Sequence, residues 1–289
     1  MRREWMVIWM VFLALFVGVA SAHVFDTMDV SSKARGMGGA WAANAFDAAA
    51  IFYNPACMPE VQSPDVYASY LRPNNQSYTG LTFLGFSFPF RTQHSIGISY
   101  RGFGVEYEGA DLLNESTLSL AYAAPLLKDI HTALYIGGTV NVYSLEFGKA
   151  GDQDLGSQTA VGLDIGLLGV MRDRTRIGLF LHNINEPSVG KNISEPLPQW
   201  VSAGISYKPY YGVVTELDVR SVRGEDVEIH MGMQFDVTDF FAMRFGFQTK
   251  PNSLTGGLSV GFAPIEVDYS YSSHPVLPGT HHVAIGARF

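Results

Sequence analysis

Ionisable side chains are scarce in this chain, and many of them gather late. Glu216, Asp218 and Arg220 stand at every second position, followed by Glu228 and His230, then by Arg244, Glu266, Asp268 and Arg288. A spacing of two places such groups on one face of an extended strand. Carboxylates and guanidinium groups sharing a face can pair with one another, line a polar path, or dock another part of the chain. Catalysis would need more. No G-x-S-x-G elbow presents a nucleophile. His281 and His282 are adjacent, so a strand sends their rings to opposite faces, and no third ligand converges with them to hold a metal. Cys57 is the sole cysteine. One thiol permits neither an internal disulfide nor a Cys-based zinc site, and it reads as a small packing residue. The expectation is a protein that is not an enzyme and carries no metal and no cofactor.

The elements that would position these groups are strands. In IEVDYSYS, 265–272, Ile265, Val267, Tyr269 and Tyr271 oppose Glu266, Asp268, Ser270 and Ser272. DVEIHMGMQFDV at 226–237 and FFAMRFGFQT at 240–249 alternate in the same way. About fourteen such segments run from 65–72 to 280–289, mostly near the 9–11 residues of a tilted membrane strand. Short turns such as 172–175 and 237–239 alternate with longer loops such as 147–158 and 185–199. The apolar faces are rich in aromatic residues, and the opposite faces carry much Gly and Ser. The expected fold is an all-β, antiparallel transmembrane β-barrel of about fourteen strands over 63–289, with outer-membrane lipid around it.

Composition agrees. Charged residues are 16% of the chain, against about a quarter in soluble domains, and there are 30 Gly, 14 Tyr and 19 Phe. The net charge of −8 argues against a nucleic-acid partner. At the N-terminus, Arg2 and Arg3 precede the uncharged run 5–20, and Ala20-Ser21-Ala22 fits a cleavage site. The run is shorter than the ~20 residues a spanning helix needs. Residues 1–22 are therefore expected to be a cleaved signal peptide. The chain ends on HHVAIGARF, an apolar alternating segment whose final residue is Phe289. A terminal aromatic residue suits the signal read by the barrel-assembly machinery.

The stretch ARGMGGAWAANAFDAAAIFYNPA, 34–56, is different: small residues, little charge and no alternation. Residues 44–54 have helix propensity, with Asn44 or Asp47 as candidate cap and Pro55 as terminator. A barrel this wide cannot be filled by wall side chains alone. Residues 23–62 are accordingly expected to form a hatch, or plug, inside the lumen. Asn54, Pro55 and Ala56 would form a rigid corner, with Asp47 paired to Arg220, Arg244 or Arg288.

ARGMGGAWAANAFDAAAIFYNPACM resembles the N-terminal hatch signature of FadL-like outer-membrane proteins, more specifically PorV/PorQ-type (UPF0164-like) members. Arg35, Gly36, Gly38, Ala40, Asp47, Ala48, Asn54, Pro55 and Ala56 match, while Cys57 and Met58 stand where Gly and Leu are usual. GLDIGLLGVM, IGLFLHNINEP, LPQWVSAGISY and HHVAIGARF are also similar to that family. The resemblance implies a fourteen-stranded barrel in the bacterial outer membrane, gated by the hatch residues Arg35, Gly36, Gly38, Asp47, Asn54, Pro55 and Ala56. It also implies a channel or transporter for hydrophobic small molecules such as long-chain fatty acids. PorV-type relatives imply an alternative: an accessory protein of secretion or surface attachment, with secretion-system components as partners and no small-molecule transport.

Overall fold

A computed structural model describes residues 24–25, 28–150, 153–154, 156–190 and 194–289. The expected signal peptide, 1–22, lies outside the described residues. Fourteen antiparallel strands form one closed barrel: β1 Asp65–Arg72, β2 Thr79–Arg91, β3 His94–Tyr107, β4 Ala110–Lys128, β5 Thr132–Phe147, β6 Ser157–Met171, β7 Thr175–His182, β8 Trp200–Tyr207, β9 Val213–Val222, β10 Glu228–Thr238, β11 Phe241–Thr249, β12 Asn252–Phe262, β13 Ile265–Ser272 and β14 Thr280–Arg288. Neighbours in sequence are neighbours in the wall. The β1–β14 pairing, from Asp65 opposite Arg288 to Arg72 opposite His281, closes the ring and removes both sheet edges.

Period two decides which way each side chain points. In β8, Trp200, Ser202, Gly204 and Ser206 face inward, while Val201, Ile205 and Tyr207 are exposed on the outside. Leu84, Phe86 and Phe88 of β2 and Ile96, Ile98 and Tyr100 of β3 extend the outer apolar surface. An apolar band running around the whole wall exceeds what a surface in water tolerates, and it is what lipid requires. Among the described residues no helix is long and apolar enough to cross a membrane. The crossing is made by strands.

The wall is not of even height. Strands β2–β6 have 13–19 residues, whereas β7–β14 have 8–11. One end carries the turns that follow β2, β4, β6, β8, β10 and β12. The opposite end carries most of the longer loops, including 183–199, yet it also holds the two-residue turn Glu108-Gly109, whose positive φ values of 51° and 78° suit a tight hairpin. Strand β10 begins at Glu228, so Asp226 sits in a loop, paired with Lys250, rather than on the strand expected at 226–237. Above the short β7, the 183–199 loop replaces a strand neighbour: Ile184 N–H donates to Leu163 O at 2.8 Å, and the Asn185 amide bonds Leu163 N and Val161 O.

Residues 28–64 precede β1 and are almost entirely buried. They form a short helix, α1, Ser32–Gly36, capped by the Ser31 hydroxyl. A second, α2, covers Ala50–Tyr53 and is followed by a 3₁₀ helix at Pro55–Glu60. The helix expected over 44–54 is thus reduced to a single turn, and its N-cap is Ala49 rather than Asn44 or Asp47. The reason is competition for donors. Within 44–54, Ala48 N–H bonds the wall carboxylate of Asp65 and Ala49 N–H bonds Asp47 instead of carbonyls four residues back, and just upstream the N–H groups of Trp41, Ala42 and Ala43 are held by Asp218 and Glu216. Pro55 both ends α2 and starts the 3₁₀ helix, where its missing N–H is harmless.

Candidate functional site

The inward positions of β9 and β10 hold the first group of expected site residues. Asp218 Oδ2 accepts from Trp41 N at 2.8 Å and Ala42 N at 2.9 Å, and Glu216 Oε1 accepts from Ala43 N at 2.8 Å. Two acids thereby hold three successive backbone donors. On β10, His230 Nδ1 donates to Gly38 O at 2.7 Å, while Nε2 lies 3.2 Å from Glu228. Gly38 has φ +70°, and a Cβ there would collide with the Phe247 backbone and Met231 O. Only glycine fits that close approach.

The next cluster centres on a residue that no sequence pattern singles out. Lys33 Nζ lies 2.6 Å from Glu266, 3.8 Å from Asp268 and 3.9 Å from Asp47. Burial pulls the Lys33 ammonium pKa down, but the carboxylates of Asp268, Glu266 and Asp47 outweigh it and hold the value above its ordinary level. Burial pushes Asp47 up to about 6, against the opposing charge of Lys33. The expected arginine partner of Asp47 is therefore a lysine from its own segment. Arg244 turns to Gln234 and Ser259, and Ser259 bonds Asp268. Arg288 bonds Asp65 at 3.2 Å and Phe46 O at 2.6 Å. Arg35 donates to Ser272 at 2.9 Å and lies 3.6 Å from Asp29. Gly36 O accepts from Thr255.

Asn54 occupies the turn into the 3₁₀ helix. Its Oδ1 accepts from Ala56 N, and its Nδ2 donates to Ala42 O at 2.8 Å and Leu167 O at 3.1 Å. Pro55 and Ala56 lie against Gly137 of β5, where a Cβ would collide with their backbone. Cys57 is fully buried, and burial pushes its thiol pKa up, so it stays a neutral packing group. Phe289 ends the chain, with its N–H on Pro64 O and its ring exposed.

A further cluster joins side chains that sequence reasoning missed. Asp164 Oδ1 lies 2.9 Å from His182 Nδ1, and His182 Nε2 lies 3.1 Å from the Tyr143 hydroxyl, which donates to Asn183. Asn141 donates to Asp164, and Trp200 stacks on the His182 ring. Counting inward positions along GLDIGLLGVM and IGLFLH marks Asp164 and His182, though nothing in the residue pattern pairs them. An acid, a histidine and a hydroxyl in line resemble a proton relay. The adjacent void, about 20 Å³, admits little more than one water, so there is no room for a substrate beside it. His281 points outward to Tyr269 OH, while His282 is buried on the inward face. Among the described residues no group of three or more His, Cys, Asp or Glu side chains is placed to hold a metal ion.

A large cavity of about 1000 Å³ opens at the end bearing the longer loops. Its walls include Leu71, Phe103, Gln248 and Lys250, and its floor includes Met28, Asp29, Arg35, Arg220 and His230. Most of the lining is polar. Met28, Asp29 and Arg35 of the N-terminal segment line this vestibule, while Val30 and Ala34 of the same stretch join the interior packing of Ile51, Met58 and their neighbours.

No protein-family model matches the chain, and no curated protein sequence matches it. Solved structures do. The CymD monoaromatic hydrocarbon channel superposes with a TM-score of 0.67 at 14% identity, over 92% of this chain and 99% of that one. The Ralstonia pickettii toluene transporter TbuX gives 0.63 at 15%, over 92% and 100%. A Pseudomonas aeruginosa FadL homologue gives 0.61 at 11%, over 90% and 98%. At such identities the likeness establishes the fold: this chain has the barrel architecture of these channels along nearly its whole length.

Proposed function

We propose that the protein is an outer-membrane channel for hydrophobic small molecules, passive and gated by an N-terminal hatch formed by residues 23–62. The observation that carries the reading is a lumen divided between an open vestibule and a tightly packed N-terminal segment, in a barrel shaped like hydrocarbon channels. Arg35, Gly36, Gly38, Asp47, Asn54, Pro55 and Ala56 are the gating residues of this proposal. The inward Glu216, Asp218, Arg220, Glu228, His230, Arg244, Glu266, Asp268 and Arg288 are the seat and the polar lining. Long-chain fatty acids are the proposed ligand class, export through a cleaved signal peptide the proposed route, and Phe289 the proposed mark for the assembly machinery. The family reading is FadL-like, of PorV/PorQ type.

The test is uptake. Cells expressing the protein, in a host lacking its own fatty-acid porin, should accumulate labelled long-chain fatty acid or toluene faster than cells expressing none. Unchanged uptake at normal membrane levels, with secretion components co-purifying, would replace this reading by the accessory one. Deleting Phe289 should lower the amount of heat-modifiable barrel in the membrane.

A further inference from the structure

Arg72 is the last residue of β1 and points away from the lumen, at the end bearing the longer loops. Its Nε donates to the Tyr70 hydroxyl at 3.1 Å, and its terminal nitrogens have no partner among the described residues. Directly opposite on β14 stands His281, also outward and exposed. Residues paired in this way lie about 5 Å apart, so the two side chains serve one spot. His281 Nδ1 lies 2.7 Å from the Tyr269 hydroxyl and its ring packs beside Tyr271, which leaves Nε2 free to donate. No acid faces this spot. Asp65, Glu266 and Asp268, the acids of β1, β2, β13 and β14, turn into the lumen, where Arg288, Lys33 and Ser259 meet them. The flanking loops 73–78 and 273–279 contain no Asp or Glu, whereas 108–111, 148–156, 183–199 and 223–227 at the same end all do. Along the wall from β1, the first exposed acid is Glu106 of β3, opposite Tyr78. In a chain of net charge −8, the seam where the barrel closes thus presents a cation alone. Beneath that cation the outer surface is apolar and furrowed: Ala68 of β1 lies between the exposed Leu84 of β2 and Ile285 of β14.

We infer that Arg72 and His281 bind the phosphate of an anionic membrane lipid, whose acyl chain lies in the furrow along β1. A guanidinium offers phosphate two parallel N–H donors, and the His281 ring adds a third beside them. The cation stands at the edge of the apolar band, which is the level of lipid headgroups. Tyr70, Tyr78, Tyr269 and Tyr271, all exposed, mark that level as interfacial aromatic residues do. Free inorganic phosphate would use the donors but not the furrow, so the occupant is a lipid. The site rests on the membrane reading of the barrel and not on transport: its failure leaves uptake untouched, and failed uptake leaves the site standing.

Native mass spectrometry of the protein extracted in detergent micelles, with dipalmitoyl phosphatidic acid and with dipalmitoylglycerol, tests it, since these lipids differ only in the phosphate. Phosphatidic acid should bind at least about tenfold more tightly, the scale of a charge-assisted hydrogen bond. Arg72→Gln should erase that preference, and Arg72→Lys, which keeps the charge, should keep part of it. His281→Phe, which keeps a ring but loses the N–H, should lower it about threefold. Arg91→Gln, an exposed cation at the turn-bearing end, should leave it unchanged. Each variant is exposed on the wall, and heat-modifiable migration checks that its barrel has formed. Equal affinity for the two lipids in the wild type overturns the site, as does a preference that survives Arg72→Gln. An equal loss in Arg91→Gln would make the preference a property of overall charge and overturn it too. Displacement of phosphatidic acid by an equal concentration of inorganic phosphate would show that the furrow contributes nothing and that the occupant is not a lipid.

Discussion

The N-terminal segment meets the barrel wall through two unlike interfaces. Its second half, around α2 and the 3₁₀ helix, presses Ile51, Ala56 and Met58 against Gly97 of β3, Ala121 and Ala123 of β4 and Gly137 of β5. Its first half, 29–43, is held by ions and backbone donors on β9–β13: Lys33 on Glu266, Arg35 on Ser272, and Trp41–Ala43 on Asp218 and Glu216. The apolar interface depends on shape. Its strength is set by close packing, which neither pH nor salt alters much. The charged interface depends on protonation and on every partner being present. If one half of the segment detaches first, it is the charged half.

The sharpest way to break the contrast is to remove one ion. Lys33→Met leaves Asp47 and Glu266 without their lysine and Asp268 with only Arg244, 3.8 Å away, and breaking the buried part of this cluster costs about 3 kcal/mol. Residues 29–43 should then exchange their amide hydrogens much faster, while 50–60 stay protected. Equal exchange across both halves would mean the segment moves as one piece.

Next in size is the apolar side. Gly137→Val drives a side chain into the Pro55–Ala56 backbone, an overpacking of about 3 kcal/mol. The 3₁₀ helix should lift off and bilayer conductance should rise, with the heat-modifiable barrel retained. Wild-type conductance in a correctly folded variant would show that this contact does not seal the lumen.

Asp218→Ala removes the acceptor of two buried N–H groups, a loss of about 2 kcal/mol. Proteolysis near Trp41 should quicken, and Asp218→Asn, which keeps an acceptor oxygen, should recover part of the protection. No difference between the two variants would remove the N–H grip from the comparison.

The smallest effect, taken per unit of pH, comes from titration. The Asp47 pKa is raised to about 6 from an ordinary 3.8, so the seated segment favours the protonated acid. This contribution is fully present below the ordinary value, falls as pH rises between about 4 and about 6, and is flat above. Its slope is at most about 1.4 kcal/mol per pH unit. Denaturant midpoints of segment release should decline across that window and lose the slope in Asp47→Asn. A midpoint that climbs with pH there would reverse the assignment.

Strand positions were legible because each strand meets lipid outside and packed lumen inside, and period two survives that constraint from Asp65 to Arg288. The inward direction of Glu216, Asp218, Arg220, Arg244 and Asp268 follows from the same count. Helix propensity over 44–54 misled, because local preference is weak beside the carboxylates of Asp65 and Asp47, which take the Ala48 and Ala49 N–H groups. Lys33 was invisible for a related reason: its three acids come from positions 47, 266 and 268, which no local pattern joins.

By itself the sequence determined the antiparallel wall, its apolar exterior and the set of inward charges, since alternation is a local property of each strand. Tertiary structure alone decided which charges meet. Closing the ring brings β14 onto β1, and filling it brings residue 33 to residue 266. Partnership across such distances is set by shear, by strand height and by the path of the segment through the lumen. Lys33 is the clearest instance: its sequence neighbours hold no acid nearer than Asp29, and only the folded arrangement brings it Glu266 and Asp268.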